Sequence, residues 1–575
     1  MGIKHFFTWF KTNFSESIYK LPKNKTVTDY NVSIDNLMID MNGIFHNSAQ
    51  KIYEYGNHKP PQRLIKSKKS NLIGNNLHKQ NKLFEDVCNT IKITLDIVKP
   101  KKRLILCIDG PAPLSKQNQQ RQRRFRSALE STSECAFDSN CITPGTKFMD
   151  YLSKYIDWYI RKNINEDEMW QKLEIIFSNE KAPGEGEHKA INYMRYYRNE
   201  NETYCIHGLD ADLIMLSLGT HLPKFYILRE DMYDYTNEYF LINIGEVHDN
   251  LAELIRWSHS DNDFNKINAI NDFIFLCFMV GNDFLPHIPS IEIIENGIEL
   301  ILEVYKKVCK SYGHITENTN GKIKFRHQCL KLFLASIGQY EKENFEMKLR
   351  KKKSYFKDTI LENSATQEED GSWNVDIEKY KIEYQKACFP EDYNVEKLAH
   401  EYLEGMQWVL SYYTTGVPNW KWVFLHHYAP PASVLALYVD SFQFSKYQHT
   451  IPTTPFQQLL CVLPPKSANL LPEPLCNLLT NKGSVLKKYC PDDFPIDLAG
   501  KRKEWEGIVI LPMVDFDLVR NVYMNFLDDI PGTDKKRNIL GKTFLYEFND
   551  KISYDFFSYY GNITNCKVKT KFIDL

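Results

Sequence analysis

The chain has 575 residues, 43% hydrophobic and 25% charged, which is the composition of a globular protein with two or three cores. A net charge of −1 excludes a whole-chain basic field, yet residues 54–126 hold 17 Lys/Arg against 5 Asp/Glu, a local excess of +12. That excess suits a polyanionic partner, or a solvated loop where it falls on 54–82. Thirteen cysteines without a C-x-x-C pair predict a reducing, intracellular setting and argue against a disulfide framework or a thiolate zinc site. No apolar run reaches membrane-spanning length, no signal peptide is evident, and MGIKHF fails the myristoylation pattern at Phe6.

The opening GIKHFFTWFKTNF spaces its apolar residues as a short amphipathic helix. NVSIDNLMIDMNGIFHNS predicts a strand ending at Asp40, with Asn42, Gly43 and His46 behind it. A Lys-rich loop with Pro60-Pro61 is expected over about 54–80, then a helix from about Asn81 to Val98. The next strand, KRLILCIDG, ends at Asp109 and repeats the pattern of apolar strand, aspartate and turn. In open α/β sheets, ligands bind beyond the carboxyl ends of the strands.

APLSKQNQQRQRRFRSALE predicts a helix after Pro113. Lys116, Gln120, Arg123 and Arg124 fall at i, i+4, i+7 and i+8, on one face of it. Three cations and an amide just past a carboxylate-bearing strand point to a phosphate pocket, with an exposed basic face as the alternative. PGTKFMDYLSKYIDWYIRKN predicts a long helix over 144–163, and KLEIIFS a strand after it.

Residues 178–217 carry two i, i+2 carboxylate pairs, Glu185/Glu187 and Asp210/Asp212. Gly184 and Gly186 favour an extended or turn conformation at the first pair, and the second follows the apolar run YCIHGL. Four carboxylates brought together repel unless protonated or bound to metal; a solvated acidic loop is the plainer reading of the segment alone. NDFIFLCFMVGNDFLPHIPS adds Asp283 at the end of an apolar helix. Alternating strands and helices make residues 1–300 an α/β domain with a mainly parallel sheet. Seven carboxylates then stand at element ends: Asp40, Asp109, Glu185, Glu187, Asp210, Asp212 and Asp283. Such an oxygen set fits Mg²⁺ or Mn²⁺, and no His/Cys set accompanies it to favour zinc.

From about 300 to 397 the chain is rich in Lys and Glu and shows no chemistry. From Leu398 aromatics dominate, most of them expected in the core; His426 and His427 are expected to be hydrogen-bonded structural residues. Trp505 stands before VILPMV among charges, either as core or as a base-stacking platform.

Ten segments together resemble the XRN family of 5′→3′ exoribonucleases, in the family's order. They are MGIKHFF, DNLMIDMNGIFHN, IDGPAPLSKQNQQRQRRFRSA, FDSNCITPGTKFM, APGEGEHK, GLDADLIML, VGNDFLPH, YLEGMQWVLSYYTTGVPNW, HHYAPPAS and DLAGKRKEWEGIVILP. The resemblance runs over residues 1 to about 310 and about 398 to 520. It implies a PIN/FEN-like α/β fold: a mainly parallel sheet flanked by helices, a long projecting helix near 144–163, and a second conserved C-terminal region packed against it. The domains it implies are a nuclease domain over 1–310, a charged, partly mobile helical linker over 311–397, and a second region over 398–575 completing the pocket. The seven carboxylates would be catalytic and hold two Mg²⁺ or Mn²⁺ ions. Lys116, Gln120, Arg123 and Arg124 would bind a 5′-phosphate, His46 and Trp505 would stack bases, and Asn42 lies in the matching DMNG motif.

The activity so implied is processive 5′→3′ hydrolysis of 5′-monophosphorylated single-stranded RNA to nucleoside 5′-monophosphates, by a monomer without a membrane, in the cytoplasm rather than the nucleus. The loop over 54–80 and the segment near 345–395 match no pattern of the family, and the long C-terminal extension of its large cytoplasmic members is not seen. The competing readings are a structure-specific 5′ DNA nuclease of the same superfamily and an inactive RNA-binding scaffold.

Overall fold

The computed structural model describes residues 6–58, 72–130, 137–230, 238–257, 264–293, 296–351, 356–390 and 393–574. Its main sheet has nine strands: β1 (Ile18–Leu21), β2 (Asn36–Asp40), β3 (Arg103–Cys107), β4 (Glu174–Ser178), β5 (Tyr204–His207), β6 (Phe225–Glu230), β7 (Tyr239–Asn243), β8 (Thr543–Phe548) and β9 (Val568–Ile573). Across the sheet they run β1-β7-β6-β5-β2-β3-β4-β8-β9. The five from β6 to β4 are parallel, and antiparallel strands extend both flanks.

The central strands read as continuous apolar runs because both faces are covered. Alternation sends Met38, Ile105, Ile176 and Ile206 into one core, and Leu37, Ile39, Leu104, Leu106, Ile175 and Phe177 into the other. Register then fixes what shares an edge. Asp40 lies opposite Cys107, Cys107 opposite Ser178, and Ile39 opposite His207. Residues just past Cys107, Ser178 and His207 therefore emerge beside Asp40.

The first helices are α1 (Phe6–Asn13), α2 (Met41–Tyr53), α3 (Leu72–Val98), α4 (Leu114–Glu130), α5 (Lys147–Glu166), α6 (Gly186–Tyr196) and α7 (Asp212–Leu218). After β2 the chain moves outward through β3 and β4, then returns to lay β5 on the other side of β2. α2 packs in one core through Ile44 and Phe45, and α7 in the other through Leu213 and Leu216. The gap between β2 and β5 is thus the topological switch point, where open α/β sheets form their ligand crevice.

The structure corrects several expectations. α3 begins at Leu72, well before Asn81; residues 59–71 of the expected loop lie outside the described residues. The long helix is α5, 20 residues and so about 30 Å. Its stripe from Phe148 through Leu152, Ile156 and Ile160 to Ile164 is buried, so its inner face packs along its length rather than standing free. The segment 311–397, expected as a linker, gives Phe333, Leu349, Tyr384 and Phe389 to the same core as Met38 and Ile105. Its charged composition conceals apolar stripes at helical spacing, such as Leu330, Phe333, Leu334 and Ile337.

The helix α8 (Val395–Thr414) is buried on nearly every side, and a third core gathers Phe456 to Ile530 around Phe125 of α4. His426 bonds Glu401 at 2.8 Å and His427 bonds the Leu511 carbonyl at 3.1 Å, the structural roles expected of them. No described helix is long and apolar enough to cross a membrane.

Candidate active site

Asp40 ends β2 and caps α2, its carboxylate accepting from the Asn42 amide at 3.4 Å. Asn42 turns its side chain to Asp109: its Nδ2 donates to Asp109 Oδ2 at 2.8 Å, and its Oδ1 accepts from the Asp109 amide at 3.0 Å. The other oxygen of Asp109 accepts from the Gly186 amide at 2.7 Å, at the start of α6. Gly186 is there for space: a Cβ would sit 2.5 Å from Asp40 Oδ1 and 3.0 Å from the Cys107 carbonyl. Gly184, with φ +107°, supplies the left-handed turn before it. The two glycines therefore do different things.

Glu185 is extended and stands at the position just before α6, whereas Glu187 lies in its first turn. Glu185 is held on both oxygens, by the Tyr412 hydroxyl on Oε1 at 2.7 Å and by the Lys116 ammonium on Oε2. Lys116 also pairs with Asp283 at 2.7 Å. Asp283 is presented by a turn in which Asn282 Oδ1 accepts from the amides of Phe284 and Leu285 at 2.8 and 2.9 Å. Carboxylate oxygens of Glu187, Asp210 and Asp212 lie within 4.8 Å of one another. Lys189 is buried and donates to the carbonyls of Ile108 and Asn179 at 2.6 and 2.8 Å, tying the ends of β3 and β4 together.

Burial with too few cations sets the electrostatics. Burial pushes the Asp40 carboxyl well up, and Asp109 and Asp210 add to it. Glu187 is likewise well up, through burial and then Asp212 and Asp210. Asp212 is pushed to about 7 by burial and by Asp210. Burial would also raise Asp283, but the Lys116 ammonium beside it holds it below the usual carboxylate range. Glu187 Oε2 and Asp212 Oδ1 are buried without a hydrogen-bond partner. Buried carboxyl oxygens left so are costly, and a divalent cation would satisfy them. The donor set, all oxygen, fits a hard metal ion.

The basic face lies on α4, whose start is gripped by the second region: the Leu114 amide donates to the Trp420 carbonyl and the Ala112 amide to Gln458, each at 2.9 Å. Lys116 is turned into the carboxylates, as described. Gln120 is buried, its Oε1 accepting from Gln458 Nε2 at 3.2 Å. Arg123 is exposed; Arg124 is buried, with Nη1 lacking a partner. Burial, then Arg123, lowers the Arg124 guanidinium to about 9. His46 on α2 faces both arginines, and burial with their charge lowers its imidazole to about 3, so it is neutral. Trp505 is 53% exposed. Its turn is tied to α4 by Arg126, which donates to the carbonyls of Trp505 and Gly507 at 3.2 and 3.0 Å and to that of Glu504.

All seven carboxylates named from the sequence thus belong to one crevice, joined by Lys116 to the basic helix. Tyr412 and Lys189 were not legible as site residues. Each acts through a partner distant in the chain, and neither spacing nor composition signals it.

A family model described as "XRN 5′-3′ exonuclease N-terminus" matches residues 1–231, and one described as "Xrn1 helical domain" matches 263–388 and 376–573. The second match takes in the segment near 345–395 for which the sequence alone offered no pattern. The chain is 28% identical to a Drosophila melanogaster "5′-3′ exoribonuclease 2 homolog", over 96% of this chain and 74% of that protein. It is 28% identical to "5′-3′ exoribonuclease 1" of Saccharomyces cerevisiae over 96% of this chain, and to that of Homo sapiens over 94%. It spans 45% and 35% of those two proteins. Among solved structures, the catalytic core of Rad2 in complex with DNA superposes with a TM-score of 0.32 at 13% identity, over 72% of this chain and 96% of that one, a likeness too loose to carry an argument. With both domain models matched in order along the chain, it belongs to the XRN 5′-3′ exonuclease family.

Proposed function

We propose that the chain hydrolyses 5′-monophosphorylated single-stranded RNA from its 5′ end, processively, releasing nucleoside 5′-monophosphates. The observation that carries this reading is one side chain: Lys116 stands on the basic face of α4 and places its ammonium between Glu185 and Asp283. A terminal phosphate gripped by that face would lie next to the carboxylates.

Glu187, Asp210 and Asp212, with Asp40, Asp109, Glu185 and Asp283 around them, would hold two Mg²⁺ or Mn²⁺ ions. Bound there, divalent ions supply an activated water and charge stabilisation at the leaving 3′-oxygen. The protein's own part is positioning. Arg124 Nη1, buried and without a partner, is aimed at an acceptor that phosphate would provide. Gln120 would donate through its amide nitrogen, because Gln458 holds its oxygen. His46, neutral beside two arginines, can stack on a base without charge repulsion from them, and exposed Trp505 offers a second ring. A pocket that grips one terminal phosphate admits a single strand. The reading includes a monomer acting in a reducing compartment, the cytoplasm rather than the nucleus.

The test is time-resolved digestion of RNAs that differ only at the 5′ end, as monophosphate, hydroxyl or triphosphate, with and without chelator. Ladder-free release of nucleoside monophosphates from the monophosphate RNA alone, abolished by chelator, is expected. Equal rates on all three ends would refute the pocket. Faster cleavage of a DNA flap would favour the alternative nuclease.

A further inference from the structure

Resting on the metal-nuclease reading above, we infer that Tyr412 is a positioning residue for Glu185, through which the second region sets the orientation of a catalytic carboxylate. Tyr412 belongs to α8, more than two hundred residues after Glu185, and is fully buried. Its hydroxyl donates to Glu185 Oε1 at 2.7 Å while Lys116 pairs with Oε2, so the carboxylate is pinned at both oxygens. Its ring stacks on His188 at 3.7 Å between centroids and 11° between planes. Phe284 packs edge-on against the same ring at 5.3 Å and 85°. His188 follows Glu187, and Phe284 follows Asp283. One ring therefore touches the chain neighbours of two carboxylates and hydrogen-bonds a third.

The packing alone does not account for the hydroxyl. A phenylalanine would fill the place between His188, Phe284 and Trp408 equally well, and a buried hydroxyl needs a partner to be tolerated. That partner is Glu185. Groups that hydrogen-bond a ligand carboxylate govern its orientation, and their removal costs metal affinity or activity.

The experiment uses the full chain with Tyr412→Phe, Glu185→Gln and the double variant. Mn²⁺ affinity is read by electron paramagnetic resonance without RNA, beside kcat and KM on 5′-phosphorylated RNA and the melting temperature. In Tyr412→Phe, Mn²⁺ affinity falls about tenfold and kcat about tenfold, with KM within about twofold. On the Glu185→Gln background Tyr412→Phe changes Mn²⁺ affinity no further. Wild-type Mn²⁺ affinity and kcat in Tyr412→Phe would overturn the inference, as would a loss fully retained in the double variant. If Tyr412→Phe does not fold, His188→Leu removes the stacking platform and leaves the hydroxyl. It should lower Mn²⁺ affinity in the wild-type background and leave it unchanged in Glu185→Gln; a loss in both would count against the role. A cycle that holds in a chain that digests no RNA would leave Tyr412 in this role and dismiss the nuclease reading instead.

Discussion

Asp212 carries the electrostatic tension of the crevice, buried, beside Asp210, and with one oxygen unpartnered. Asp212→Asn is expected to lower cleavage about a thousandfold or more while leaving RNA binding nearly intact, since under the proposed function it would take an anionic oxygen from the metal site and leave the basic face of α4 untouched. Digestion and filter binding on the same preparation check this. The raised carboxyl also predicts a pH dependence. An acid near 7 in the fold and near 3.8 when unfolded binds its proton more tightly in the fold. Chelator-treated protein should therefore lose stability as pH rises from about 4 to about 7, and added Mg²⁺ should raise the melting temperature more at pH 8 than at pH 5. On the cationic side, Arg123→Ala with Arg124→Ala is expected to erase the preference for 5′-phosphate over 5′-hydroxyl RNA, a ratio read from paired digestions. The residue types were legible because carboxylates at strand ends and cations on one helix face have few other uses together. Lys116 shows the limit of that reasoning. Helical spacing put it on the basic face, but only the fold reveals that its ammonium lies among the acids.

Among the elements, the ends of β2 and β3 and the start of α6 form one tight joint. Asp40 caps α2, Asn42 bridges to Asp109, and Asp109 accepts from the first amide of α6. Gly186→Ala would drive a methyl into Asp40 and the Cys107 carbonyl. It is expected to reduce kcat about a hundredfold, the scale of a 1 Å misplacement, with little change in KM. Steady-state kinetics on 5′-phosphorylated RNA decide it. The strands were legible from apolar runs closed by aspartates, and α4 from its spacing. The reason for Gly186 was not, because a close approach to residues as far back in the chain as Asp40 and Cys107 leaves no local mark. The stripes of 311–397 were obscured by the opposite effect, abundant Lys and Glu on their solvent faces.

At the scale of the molecule, the sheet begun by β1 is finished by β8 and β9. β8 lies along β4, pairing Phe544 with Phe177 and Tyr546 with Ile175, and β9 lies along β8. Nothing in the sequence of the last thirty residues marked them as partners of a strand near residue 175. Long-range pairing is decided by which edge is left open, and composition does not encode that. Deleting residues 543–574 should uncover the β4 edge and lower the melting temperature by at least about 5 °C, measured by calorimetry.

The same closure has a bearing on how the protein is made. During translation β4, whose outgoing loop delivers Glu185, emerges hundreds of residues before its neighbour β8. Until residue 573 clears the ribosomal tunnel, that flank is an unpaired strand edge. The main sheet is thus completed only once β8 and β9 have emerged, long after the strands whose ends carry the crevice.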